Sequence, residues 1–227
     1  MTAADARKIE IKIPAAAPVS ALLIRPRNAR AAYVFAHGAG AGMNHRSMEE
    51  IASGLGERGI ATLRYQFPYM ESGSKRPDSP AVAHAAVRAA VAEAGRCCDG
   101  LPLIAGGKSF GGRMTSQAQA IAPLPGVRGL VFVGFPLHPA GKPSSGRAVH
   151  LAQVALPMLF LQGTRDALAE VTLLETVVGR LGPRATLRLF DGADHAFHVP
   201  AKSGKRDEDV RRELLDVLAA WIREVTD

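Results

Sequence analysis

Apolar residues along the chain form two patterns: continuous short runs, typical of buried strands, and the spacing typical of amphipathic helices. Continuous apolar runs predict strands at 31–36, 60–64, 101–105, 129–134, 157–162 and 185–190. Segments with helical spacing alternate with these runs, at 44–56, from about 80 to 98, from about 110, at 168–181 and at 207–225. Near the N-terminus, 8–13 and 20–25 predict an antiparallel edge hairpin. Short apolar strands that alternate with helices predict an α/β fold, with a mostly parallel sheet covered on both faces.

A serine stands in a glycine-rich turn directly after the predicted strand at 101–105. The turn reads Gly107-Lys-Ser-Phe-Gly111, a Gly-x-Ser-x-Gly sequence between a strand and a helix. Such a turn lifts one serine hydroxyl clear of the backbone. Glycine is expected on either side, because side chains there would collide with the neighbouring strand and helix. Ser109 is therefore the candidate nucleophile.

An unassisted serine hydroxyl is a poor nucleophile at neutral pH, so Ser109 implies a base and a carboxylate that orients the base. Ligands of a parallel sheet lie outside the carboxyl ends of its strands, so both residues should follow later strands. Asp166 follows the strand at 157–162, and His195 follows the strand at 185–190. We expect His195 Nε2 to take the Ser109 proton and return it to the leaving group, while Asp166 holds the ring in the correct tautomer.

Other acids and a second histidine lie close to His195 in the sequence. Asp191 and Asp194 are rival acids, but they are too near His195 to occupy a separate strand end. His198 forms an H-x-x-H sequence with His195, a spacing found in metal sites, yet no third ligand stands at a useful distance. The expected site therefore contains no metal and no cofactor.

Acyl transfer also requires hydrogen-bond donors where negative charge develops on the substrate oxygen. The Phe110 amide is one candidate, because it stands at the start of a helix whose dipole favours an anion. The second candidate is the Ala39 amide, or alternatively that of Gly40, in the glycine-rich loop after the strand at 31–36. A glycine-rich turn without any ligand role is the alternative for this loop.

Neither the glycines nor the charge of the chain predicts a nucleic-acid or nucleotide partner. A phosphate-binding P-loop would need glycine where Pro102 stands, and a dinucleotide fingerprint beginning at Gly38 would need glycine where Met43 stands. The net charge of +7 is dispersed, with no run of five like charges. Surface charge accounts for it better than a nucleic-acid site does.

The composition is that of a globular protein, with 47% hydrophobic and 22% charged residues in 227. No apolar run approaches the roughly 20 residues that span a bilayer, and the N-terminus lacks the apolar centre of a secretory signal. The adjacent Cys97 and Cys98 cannot join distant parts of the chain. With no linker-like stretch, we expect residues 1–227 to form one domain of a cytoplasmic protein that has no membrane partner.

The motifs at 37–40, 64–69, 106–113, 134–143, 161–166 and 192–195 together resemble those of the α/β-hydrolases. They are most similar to the small dienelactone-hydrolase-like branch, and within it to bacterial relatives of the testis-expressed and non-specific-lethal-complex hydrolase-like domains. The resemblance extends from residue 31 to the final helix and includes the chain order serine, acid, histidine. Dienelactone hydrolases proper use a cysteine where this chain has Ser109. The resemblance therefore implies a serine hydrolase acting on a small carboxylic ester or thioester rather than on dienelactone.

In this fold, the loop between the strands at 129–134 and 157–162 is the usual position of a lid. Its length of about twenty residues is too short for a separate cap domain, so we expect an open site. His138 and Lys142 in this loop are candidates to contact an acidic or polar acyl group. Tyr65 and Tyr69, after the strand at 60–64, and His37 are further substrate-binding candidates.

Two alternatives to an esterase remain open from the sequence. Related folds also serve as non-catalytic binding or scaffold modules, and the same site could transfer an acyl group to an acceptor other than water or perform a lyase step. Lys108, inside the turn, is assigned no catalytic role. Arg113 is either a pocket residue or an ion-pair partner on a helix face. The oligomeric state is not predicted.

Overall fold

An eight-stranded sheet separates two layers of helices. The computed structural model describes residues 6–227; residues 1–5, where the segment used to exclude a secretory signal begins, lie outside that range. The strands are β1 (Arg7–Ile11), β2 (Val19–Ile24), β3 (Ala31–Ala36), β4 (Ile60–Tyr65), β5 (Leu103–Lys108), β6 (Val127–Val133), β7 (Met158–Gly163) and β8 (Ala185–Phe190). The helices are α1 (Arg46–Glu57), α2 (Pro68–Glu71), α3 (Pro80–Cys97), α4 (Phe110–Ile121), α5 (Val171–Leu181) and α6 (Asp207–Thr226). Short 3₁₀ helices lie at Gly146–Gln153, Gly182–Arg184 and Ala201–Ser203.

The strands lie in the order β1-β2-β4-β3-β5-β6-β7-β8. β1 and β2 are antiparallel to each other, and β2 is antiparallel to β4, whereas the six strands from β4 to β8 are parallel. The predicted α/β class and the N-terminal antiparallel hairpin are confirmed. The central strand β3 is buried along its whole length because helices cover both faces, which is why it reads as a continuous apolar run.

Successive strand residues face the two helix layers alternately. Val34 of β3 packs in the apolar cluster formed with α3, α4 and α5, while its neighbours Tyr33 and Phe35 pack in the cluster formed with α1 and α6. Trp221 of α6 lies directly over Gly129 of β6, where a Cβ atom would come within 2.7 Å of the indole ring. No helix in the described part of the chain has both the length and the apolar character needed to cross a membrane.

Most predicted elements exist, and their boundaries move by a few residues. The strand predicted at 101–105 is β5 at Leu103–Lys108, the helix predicted at 168–181 is α5 at Val171–Leu181, and β8 has the predicted bounds. Four elements were not predicted: α2, inside the expected loop at 65–80, and the three 3₁₀ helices, of which Gly146–Gln153 lies inside the expected lid. All four are too short or too irregular to show an apolar period in the sequence.

The parallel strands all end at one edge of the sheet. The loops that follow β3, β5, β6, β7 and β8 meet at this edge, and every predicted catalytic residue lies on one of them.

Candidate active site

Ser109 lies between β5 and α4 in a strained backbone conformation. Its φ of 50° and ψ of −115° lie outside the regions that residues with a side chain normally adopt. The neighbouring chain is too close for side chains at the flanking glycines: a Cβ atom at Gly107 would lie 2.4 Å from the Ala36 oxygen, and one at Gly111 would lie 2.6 Å from the His37 oxygen. The predicted reason for the two glycines is therefore confirmed.

Asp166 follows β7, and its carboxylate is held at both oxygens. Oδ1 accepts the Leu168 amide at 2.8 Å, and Oδ2 accepts a hydrogen bond from the Gln162 side chain. The side chain of Asp166 has no exposed surface. A buried carboxylate with several donors is fixed in position, which is what an orienting group requires.

The His195 ring is hydrogen-bonded to Asp166, with 2.6 Å between Nδ1 and Oδ2. Its side chain is 26% exposed, so the ring can face solvent or a ligand on its other side. The rival acids have other partners: Asp194 Oδ1 accepts the amides of Ala196 and His198, and Asp191 contacts the Thr164 hydroxyl. Of the candidate acids, Asp166 is therefore the one that contacts the histidine ring.

His198 points to a different partner from His195. Its Nδ1 lies 2.8 Å from Asp207 Oδ2, and the side chain is 63% exposed. The hydrogen bond and the charge of Asp207 raise the pKa of His198. The two histidines of the H-x-x-H sequence thus each contact a separate carboxylate.

A hydrogen bond from Lys108 connects the turn that contains Ser109 with the loop that contains His195. Its Nζ donates to the His195 backbone oxygen at 3.0 Å and lies 5.4 Å from the centre of the Phe197 ring. Within residues 6–227, no carboxylate lies within ion-pair distance of this ammonium group. Burial lowers the pKa of Lys108 to about 8.

The end of β6 brings the His195 ring and Ser109 into the same region. The Ser109 amide donates to the Val133 oxygen at 3.1 Å. The next residue, Gly134, lies against the histidine: a Cβ atom there would be 3.3 Å from both Cε1 and Nδ1 of the His195 ring. Ser109 and His195 therefore lie against adjacent residues at the end of β6, Ser109 against Val133 and His195 against Gly134.

A pocket of about 520 Å³ opens at Ser109, and two of the candidate oxyanion donors line it. Phe110 is the first residue of α4, and Ala39 belongs to the loop after β3. Gly38, in the same loop, has its Cα next to Ser109, since a Cβ atom at Gly38 would lie 3.6 Å from Ser109 Cβ. Gly40 is exposed and is not among the lining residues.

Two histidines that the sequence offers as substrate-binding candidates have backbone partners on both ring nitrogens. His37 Nε2 accepts the Phe67 amide at 3.0 Å, so its Nδ1 donates to the Gly38 oxygen at 2.8 Å. His138 does the same with the Glu170 amide and the Pro139 oxygen. Both histidines are buried and tie loops together.

The other three substrate-binding candidates do not line the Ser109 pocket either. Tyr65 and Tyr69 are buried in the aromatic cluster around Phe67, and burial raises the pKa of both phenols. Lys142 is exposed. The charged side chains that do line the pocket are Asp78, Arg113 and Arg147. The sequence left Arg113 open and gave no signal for Arg147, because both depend on how the unpredicted 3₁₀ helix folds against α4.

A second serine–histidine pair lies beside the pocket. The Ser116 hydroxyl and His150 Nε2 share a hydrogen bond of 2.8 Å. Ser116 is completely buried, so a substrate cannot reach it. Burial, with the charge of Arg113, lowers the pKa of His150 to about 4, which makes it a weak base at neutral pH. This pair is therefore not a competing nucleophile and base.

Comparison with known families shows the family of the chain. A family described as alpha/beta hydrolase domain matches residues 29–223. The chain therefore belongs to this family.

Solved structures of α/β-hydrolases are similar to this chain over nearly its whole length. A dienelactone hydrolase from Anabaena variabilis has a TM-score of 0.79 and 18% identity, covering 98% of this chain and 99% of that one. An alpha-beta serine hydrolase homologue from Coxiella burnetii has a TM-score of 0.73 and 22% identity, covering 92% and 95%. The protein XC6422 from Xanthomonas campestris, described as a serine hydrolase without lid, has a TM-score of 0.73 and 19% identity, covering 95% and 94%. At these identities the similarity shows the fold.

Proposed function

We propose that this protein is a serine hydrolase that cleaves a small carboxylic ester or thioester through an acyl-enzyme. The observation that carries the proposal is the hydrogen bond between buried Asp166 and His195. It lies at the edge of the sheet where the parallel strands end, and Ser109 lies at the same edge in a strained turn. An acid, a histidine and an accessible serine in this arrangement are the parts needed to activate a hydroxyl nucleophile.

In the proposed reaction, Ser109 Oγ attacks the carbonyl carbon while His195 Nε2 removes the hydroxyl proton. Asp166 keeps the proton on Nδ1, so that Nε2 is free to act as the base. The amides of Phe110 and Ala39 are the proposed donors to the developing oxyanion. The tetrahedral intermediate then expels the alcohol or thiol, which takes the proton from His195. Water, deprotonated by the same histidine, attacks the acyl group, and the proton returns to Ser109 as the carboxylic acid leaves.

The similar structures support hydrolysis as the reaction class. Their descriptions include a dienelactone hydrolase, a serine hydrolase homologue and an esterase domain from Rhodothermus marinus. None specifies the ester that this chain cleaves. The cytoplasmic location, the single-domain organisation and the expected lack of nucleic-acid and membrane partners stay predictions.

A fluorophosphonate probe with intact-mass detection tests the proposal. We expect one adduct on the wild type and none on Ser109→Ala, because an activated hydroxyl displaces fluoride from phosphorus and alanine has no nucleophilic group. Ser116→Ala is the matched control and should be labelled like the wild type, since Ser116 is buried. Circular dichroism shows whether each variant is folded.

Either of two outcomes contradicts the proposal. A folded wild type that takes no label, and hydrolyses neither p-nitrophenyl acetate nor acetyl thioesters, indicates a binding or scaffold module. Labelling that persists in Ser109→Ala means that another residue is the nucleophile. Product analysis in the presence of added alcohols then distinguishes hydrolysis from acyl transfer.

A further inference from the structure

The pocket at Ser109 contains two guanidinium groups that form no ion pair with any residue the structure describes. Its walls are mostly apolar or small, and its charged side chains are Arg113, Arg147 and Asp78. The two arginines belong to different elements, α4 and the 3₁₀ helix Gly146–Gln153, and meet at the same pocket.

Arg113 lies one helical turn after the candidate nucleophile. Its amide donates to the Ser109 oxygen at 3.1 Å, so the side chain starts from a fixed position on the first turn of α4. The Nε atom is buried and has no hydrogen-bond partner. Burial lowers the pKa of Arg113, and the charge of Arg147 lowers it further. The charged group that acts most on this cation is therefore another cation.

Arg147 adds a second free guanidinium. Within residues 6–227, neither Arg113 nor Arg147 forms an ion pair or donates a side-chain hydrogen bond. A buried donor without a partner costs free energy, and so does the repulsion between two like charges. Elsewhere the chain pairs such groups, as Arg58 with Asp216 and Arg211 with Glu50.

The other ionisable groups near the pocket do not balance the two arginines, because Asp78 is the one acid among the described lining residues. Asp78 Oδ2 accepts the Tyr69 amide at 3.1 Å, and burial raises the pKa of Asp78. His150, behind Arg113, remains uncharged at neutral pH because its pKa is lowered to about 4. With two guanidinium groups and one carboxylate, the pocket has an excess of positive charge that favours an anionic ligand.

We propose that Arg113 and Arg147 bind a free carboxylate on the substrate, so that the ester or thioester cleaved at Ser109 is itself an acid. A planar guanidinium matches a carboxylate with two parallel hydrogen bonds. Partial burial strengthens this attraction, because solvent screens it less. The inference rests on the proposed hydrolase function and specifies its substrate class.

Matched pairs of substrates test the inference. Monomethyl glutarate and its amide, methyl glutaramate, differ in the charge of the acyl group, while p-acetoxybenzoate and p-acetoxybenzamide differ in the charge of the leaving group. We expect the wild type to prefer the acid of at least one pair by about tenfold or more in kcat/KM, as charged hydrogen bonds allow. Arg113→Met and Arg147→Met should each lower kcat/KM for the acid more than for its neutral partner, so that the ratio of the two falls towards one.

Two further variants and one binding measurement sharpen the test. Arg113→Lys, which keeps a charge without the planar fork, should retain part of the preference. Arg188→Met, at an exposed arginine on β8, should leave the preference unchanged. Glutarate should slow fluorophosphonate labelling of Ser109 in the wild type more than its diamide does, and this readout does not depend on turnover.

The inference is overturned if the labelled wild type shows neither acid preference nor protection by glutarate. It is also overturned if the preference survives in both methionine variants, or if these variants lose activity equally on acids and amides. Failure of the hydrolase proposal looks different, since the folded wild type then takes no fluorophosphonate label at all.

Discussion

At the scale of single residues, the site depends on the fixed orientation of one histidine ring. Asp166 Oδ2 is hydrogen-bonded to His195 Nδ1, and Oδ1 accepts a hydrogen bond from the Leu168 amide. The carboxylate therefore cannot rotate away without losing a backbone hydrogen bond. In the proposed mechanism, the tautomer with its proton on Nδ1 leaves Nε2 as the base for Ser109.

Asp166→Asn should lower kcat/KM for p-nitrophenyl acetate by about a thousandfold or more, because an amide can present N–H to the ring and favour the wrong tautomer. The fold should survive, since asparagine has nearly the same shape. Asp191→Asn, an exposed acid near the same histidine, is the matched control and should retain wild-type activity. A loss smaller than about tenfold in folded Asp166→Asn would exclude the proposed role.

The chemistry-bearing residues were easier to predict than the pocket. Ser109, Asp166 and His195 are the proposed catalytic residues because each follows a strand that the apolar pattern locates. His37 and His138 satisfied the same rule, yet both histidines bind backbone groups instead of lining the pocket. Residue type and position at a strand end do not fix which way a ring points, and turn geometry decides that.

At the scale of elements, the strand and helix pattern was predicted well where elements are long and periodic. The helices α1, α3, α5 and α6 each bury a regular stripe, and the strands β3, β4 and β7 are buried along their whole length. The 3₁₀ helix Gly146–Gln153 lacks that stripe and was expected to be loop. This 3₁₀ helix carries Arg147. Because the sequence did not predict the helix, it did not predict the positive charge that Arg147 adds to the pocket.

The end of strand β6 is an element boundary with a direct effect on the site. Gly134→Ala should lower kcat/KM by more than about tenfold, because the new methyl group would lie 3.3 Å from the His195 ring and displace it. Gly141→Ala is the matched control. Both glycines have φ near +70°, but no atom lies within 4 Å of a Cβ at Gly141.

Both alanine variants should be destabilised by a similar amount, about 1 kcal/mol, for adopting a positive φ. Chemical denaturation measures that shared cost, and kinetics on the folded proteins measures the separate effect on His195. Equal activities for the two variants would mean that the β6 end does not position the ring.

At the scale of the whole molecule, the parallel sheet gathers residues that are far apart in sequence. β5, β7 and β8 deliver Ser109, Asp166 and His195 to one edge, and the apolar layers on both faces keep these strands in register. The sequence predicts this gathering from topology alone. It does not predict the burial of Lys108, which results from the path of the loop that passes over this side chain.

Lys108 gives the stability of the whole protein a distinct pH dependence. Its pKa falls from an ordinary value of 10.5 to about 8 in the folded protein, mainly through burial. Between these two pH values the unfolded chain keeps a proton that the folded protein has released, so the free energy of unfolding should rise with pH. The increase should be no more than about 3 kcal/mol for a shift of this size.

Chemical denaturation of the wild type and Lys108→Met from pH 7 to pH 10.5 isolates this contribution. The buried phenols of Tyr33 and Tyr65 act in the opposite direction above their ordinary pKa of 10.0, because only the unfolded chain ionises them there. They are common to both proteins and cancel in the difference. The stability of the wild type relative to Lys108→Met should therefore increase between pH 8 and pH 10.5. The exposed Lys142→Met should show no such trend, and a flat difference for Lys108→Met would mean that Lys108 is solvated in the folded protein.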